Sequence, residues 1–163
     1  MPFTEFHNYF PDLAEQEIRS FTVLNDERIP PGSYGLIESY CDEPDCDCRR
    51  VFLTVFSSRS KRMEAVISYG WDSAAFYAGW LRTDDAELIA ELRGPVLNKL
   101  SPQSSLAPAI LETVRDVILQ DEAYVERLKR HYRLFRDHIE RNPRGKLLSG
   151  FKKRKTIKLR KLR

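Results

Sequence analysis

All three cysteines of the chain fall within eight residues, in the run Cys41-Asp42-Glu43-Pro44-Asp45-Cys46-Asp47-Cys48, and no other feature constrains the fold as strongly. Ordinary core packing uses cysteine singly, as a small apolar filler. Three sulfurs this close in sequence suit a bound metal instead. Two β-rich runs, 34–40 and 51–56, flank an acidic loop that contains Pro44, so the segment reads as a hairpin with strands at about 34–41 and 48–57. On an extended strand Cys46 and Cys48 leave the same face. If Cys41 opposes Cys46 across the hairpin, period-two alternation puts all three sulfurs on one side.

Zinc takes four tetrahedral donors, so a Zn2+ site built on Cys41, Cys46 and Cys48 needs one more. The only histidines are His7, His131 and His138. Residues 121–141 carry a helical stripe through Tyr124, Leu128, His131, Phe135 and His138. His131 sits mid-stripe, whereas His138 lies about 10.5 Å further along a helix and close to Pro143. The expected ligand set is therefore Cys41, Cys46, Cys48 and His131. A carboxylate of Asp42, Asp45 or Asp47, or a water, stands as the alternative fourth donor, and His131 also reads as a satisfied core histidine. Inert or reactive thiols and a Cys41–Cys46 disulfide compete with the metal reading. With no signal peptide and no long apolar segment, the expected compartment is the reducing cytoplasm, which disfavours the disulfide. The acids around the sulfurs raise thiol pKa values while Arg49 and Arg50 lower them, so no reactive thiolate is inferred. The loop lacks the glycine and distal glutamate of a calcium-binding EF-hand.

The formal charge of +3 hides a division. Residues 144–163 hold ten Lys or Arg and no acid, leaving 17 basic against 24 acidic residues, a body of −7 and a tail of +10. The expected arrangement is a single domain over 1–143 and a basic, flexible tail over 144–163. RNA or DNA phosphates would neutralise Lys152, Lys153, Arg154, Lys155, Lys158, Arg160, Lys161 and Arg163 in a salt-sensitive, sequence-tolerant way. A solvated tail, an anionic membrane surface, or the acidic body itself are the competing partners. With no aromatic residue after Phe151, base stacking contributes little.

Upstream, Asp12 and Glu15 mark a short helix, 18–24 alternates as a strand, and 25–32 is a loop. After the hairpin, 63–69 gives a further strand, completing a four-stranded antiparallel meander. From Trp71 the pattern turns helical: Asp72 caps a segment through Trp80, Thr83 or Asp84 caps 85–93, and Gly94-Pro95 stops it. Helices at about 106–119 and 122–141 follow. Strands first and helices afterwards predict an α+β domain with the helices packed on one sheet face. The aromatics at 69–71 and 76–80 are expected to fill the seam between layers.

No phosphate-binding glycine loop, nucleophile elbow or paired-histidine zinc helix is present, so common hydrolase and nucleotide-binding chemistries lack support and no catalytic residue is assigned. The run from Tyr40 to Phe52, with its Cys-x4-Cys-x-Cys spacing followed by Arg49-Arg50, resembles the cysteine-rich hairpin of small uncharacterised bacterial proteins, some related to the SEC-C metal-binding families. The likeness covers about 30–56, with a weaker echo at Gly70-Trp71 and His131-Tyr132. Because the further downstream Cys and Cys/His pair of SEC-C is absent, the zinc ligation it implies extends only to Cys46 and Cys48. The expected function is a cytoplasmic, zinc-stabilised binding or adaptor protein with no membrane span, nucleic-acid-associated through its tail. A zinc-dependent or thiol-based enzyme using the same hairpin is the alternative.

Overall fold

The computed structural model describes residues 2–142. The tail at 144–163 and its expected nucleic-acid contacts lie outside the described residues. The elements run β1 (Phe3–Glu5), α1 (Pro11–Glu17), β2 (Arg19–Val23), β3 (Gly32–Cys41), β4 (Arg50–Ser57), β5 (Met63–Gly70), α2 (Ala74–Leu81), α3 (Ala86–Arg93), β6 (Val96–Leu97), α4 (Ala107–Asp116) and α5 (Glu122–Arg141), with short 3-10 turns at Phe6–Asn8 and Ile118–Gln120. The class is α+β, but the sheet has six antiparallel strands rather than four. β2 to β5 pair in chain order. The added strands, β1 and β6, hold three and two residues, too short for alternation to show in sequence.

β3 is the organising strand. One end of its outer edge takes β2, and the other takes β1, which pairs Phe3 with Cys41 and Thr4 with Tyr40. Tyr34, Leu36 and Tyr40 of β3, Val51, Leu53 and Val55 of β4, and Ala65 and Ile67 of β5 alternate onto one face and join the core. α4 adds Ile110 and Val114, and α5 adds Tyr124, Leu128, Phe135 and Ile139. Each such side chain contributes about 1.5–3 kcal/mol on burial, so tertiary packing rather than propensity holds α5. Glu38 shares this apolar face and is itself buried, which makes its partner structurally important.

The helix starts differ slightly from expectation, for local reasons. α1 begins at Pro11, which suits a first helical position, and no side chain caps it. Ser73 caps α2 in place of Asp72, which turns to Arg49. Asp85 caps α3, accepting from the amides of Glu87 and Leu88. On the sheet face opposite the core, Arg50 reaches the Leu92 carbonyl of α3, so the helices are not confined to one face. Tyr77 of α2 is fully buried against Gly70, where a Cβ would stand 2.8 Å from the ring carbon bearing the hydroxyl. Its hydroxyl donates to the Arg49 carbonyl at 2.8 Å, tying the aromatic seam to the cysteine loop. Among the described residues, no helix is long and apolar enough to cross a membrane.

Candidate metal centre

Cys41 closes β3, while Cys46 and Cys48 lie in the connecting loop, because β4 begins at Arg50 rather than near 48. Strand alternation is therefore not what gathers the sulfurs. The loop folds through a turn in which the Cys46 amide donates to the Glu43 carbonyl at 3.4 Å, with Pro44 second and Asp45 third at φ 59°. A proline followed by a left-handed residue is the type II pattern, and Asp tolerates that conformation better than most residues. Arg49 repeats the left-handed geometry at φ 48°, bending the chain again between Cys48 and β4. As a result, each sulfur accepts an amide from two residues onward: Glu43 to Cys41, Cys48 to Cys46, and Arg50 to Cys48. Aimed backbone donors stabilise thiolates.

The three Sγ atoms lie within 4.8 Å of one another. Tetrahedral zinc with Zn–S of about 2.3 Å sets sulfurs about 3.8 Å apart, so the trio needs only a small contraction around an ion. All three cysteines are free thiols. Their protonation is shared: the Cys48 hydrogen bond holds the Cys41 thiol down at about 6, while donation to Cys41 and burial push Cys48 up. Burial likewise raises Cys46. The metal-free trio thus carries one negative charge, and a bound cation would draw off the remaining protons.

The positive charge around the site fits that chemistry. Arg50 is 8% exposed, yet its guanidinium bonds only the Leu92 carbonyl and the Ser68 hydroxyl, with no carboxylate among the described residues as hydrogen-bond partner. Burial lowers its pKa, and negative charge on Cys48 and Cys41 offsets that effect. Arg136, also buried, donates to the Cys41 carbonyl at 2.8 Å. Three thiolates on a divalent ion leave one net negative charge, for which these two cations are the nearby balance.

α5 does reach the cysteine loop, but with the face one residue on from His131. Tyr132 accepts from the Arg49 amide at 3.2 Å and donates to Asp47 at 3.3 Å. Arg136 pairs with Glu140, which in turn accepts the Asp45 amide at 3.1 Å. One residue along a helix is about 100° of rotation, and that places His131 elsewhere. Its Nδ1 lies 2.7 Å from Glu38 and its Nε2 2.9 Å from Glu17, while Phe6 stacks on the ring at 4.3 Å. With both ring nitrogens engaged, His131 is not the fourth donor to the sulfurs; the core-histidine alternative describes it better. Tyr40 donates to the same Glu38 oxygen at 2.7 Å, and Arg130 forks onto Glu17, so the buried carboxylate belongs to a network. His138 packs against Tyr9 and His7 pairs with Glu5, so neither joins the cluster.

Near the sulfurs the carboxylates are largely engaged. Asp47 is held by Arg49 and Tyr132, and Asp42 accepts from Thr4 at 2.8 Å. Sequence reasoning missed Tyr132, Arg136, Glu140 and Arg50. The first three share a four-residue helical spacing that could have marked them as a set facing the loop. Arg50 offered no signal, since its burial depends on β4 starting there. Comparison of the chain with family models, curated proteins and solved structures returns no match.

Proposed function

We propose that the protein is a cytoplasmic, metal-stabilised binding or adaptor domain in which Cys41, Cys46 and Cys48 hold a zinc ion that fastens the 42–49 loop to α5. The carrying observation is the convergence of three free sulfurs within 4.8 Å, each with its own backbone donor. Zinc is favoured because a thiolate-rich site selects soft or borderline ions, and free thiols suit a reducing compartment. The hairpin's likeness to SEC-C proteins points the same way through Cys46 and Cys48. The ion joins the end of β3 to the start of β4 at the place where Tyr132 and Arg136 receive the loop, so its role is structural. Binding would then be presented on the surface that the ion orders.

Tag-free full-length protein, purified reduced and metal-replete, is expected to carry about one zinc per chain by elemental analysis. Chelation should lower the melting temperature, and restored zinc should recover it, since an ion bound at about a thousandfold over its dissociation constant adds about 4 kcal/mol. Stoichiometry near zero, or a melting temperature indifferent to chelator, would remove the reading.

A further inference from the structure

The sulfurs are unequally accessible. Cys41 and Cys48 are completely buried, whereas Cys46 is half-buried and lines a groove of about 390 Å3 with Asp45, Asp47, Tyr132, Arg133 and Arg136. Any ion held by the trio is therefore closed off on the core side and approachable from the groove. The histidines are committed elsewhere, and Asp42 and Asp47 already have partners. Arg133 stands exposed on the groove wall and makes no hydrogen bond or ion pair with a described residue.

We propose that the fourth coordination position opens into this groove and takes a small thiol that also bears a carboxylate, its sulfur on the metal and its carboxylate on Arg133. This inference rests on the metal reading above. A centre already holding three thiolates favours a further soft donor over a hard one. An entering thiolate adds negative charge, which Arg133 and Arg136 on the groove wall offset. The carboxylate gives Arg133 the planar, forked partner its geometry suits. The step is a ligand exchange: the thiol gives its proton to solvent, its sulfur takes the position of the ligand it displaces, and nothing is oxidised or reduced. The groove is also large enough for a molecule of this size.

Cobalt-substituted full-length protein titrated with mercaptoacetate and with 2-mercaptoethanol tests it. Both thiols should increase the sulfur-to-cobalt charge-transfer absorption and shift the visible bands, with cobalt retained on desalting. Mercaptoacetate should saturate at a concentration about fivefold lower, the effect of a favourable exposed ion pair. Arg133→Ala should abolish that preference and leave the 2-mercaptoethanol titration unchanged. No spectral response to either thiol, or a cobalt spectrum altered by Asp45→Asn before any thiol is added, would show that the chain closes its own site and overturn the proposal. Equal saturation by both thiols, or a preference that survives Arg133→Ala, would overturn the role of Arg133 and the ligand class with it. Failure to bind cobalt at all would instead sink the metal reading on which the proposal stands.

Discussion

His131→Ala is expected to lower unfolding stability by about 3–5 kcal/mol, the range for removing one partner of a buried pair, while leaving the metal content at one per chain. The cost arises on β3. Glu38 is 7% exposed on the apolar face of the sheet, and His131, at 1%, is the α5 side chain that meets it. Removing the imidazole strands the carboxylate among Leu36, Tyr40 and Leu128, with only the Tyr40 hydroxyl still donating to it. It also removes the ring on which Phe6 stacks and releases Glu17 from α5. For a domain of this size the melting temperature should fall by roughly 10 °C. Glu38→Leu combined with His131→Leu should recover part of the loss, because an apolar pair of similar volume often replaces a buried ionic one at little cost. Thermal unfolding and elemental analysis on the same samples decide the matter. Loss of metal together with stability would return His131 to the ligand set.

Cys48→Ser is expected to give the opposite pairing of effects. Metal affinity should fall by more than the about 100-fold that loss of a supporting contact costs, because the hydroxyl is a poor donor and the position is wholly buried. The stability that the ion supplies, about 4 kcal/mol at saturating zinc, should go with it. The loss should be local first. Without the ion, the 42–49 loop keeps only the polar contacts from Tyr132, Arg136 and Glu140, so limited proteolysis should cut there before the core opens. A Cys48→Ser protein with full metal occupancy and unchanged protease resistance would contradict the assignment.

Much of this architecture was legible in the chain, and the parts that were not have physical reasons. The strands at 34–41 and 63–69 and the last helix carry strong periodicity, because each buries a continuous face against the core. β1 and β6 carry none, being defined only by what they pair with. The metal cluster was legible as three nearby sulfurs, but its mechanism was not. The sequence suggested strand alternation, whereas the sulfurs converge through a turn at Pro44-Asp45 and a second left-handed residue at Arg49. His131 shows how close a helical reading can come and still miss: the stripe correctly places it inward, yet a rotation of about 100° directs Tyr132, not His131, at the loop. Glu38, an acid within a β-rich run, was the signal that a buried partner had to exist, and pairing it with His131 would have freed the fourth coordination position from a histidine.

The central claim is that Cys41, Cys46 and Cys48 together bind one metal ion. X-ray absorption at the zinc edge on reduced, full-length protein tests it directly. The account predicts a shell of three sulfurs at about 2.3 Å with a single lighter donor, and no imidazole scattering pattern. A shell with two sulfurs or fewer, or one dominated by nitrogen and oxygen, would contradict it.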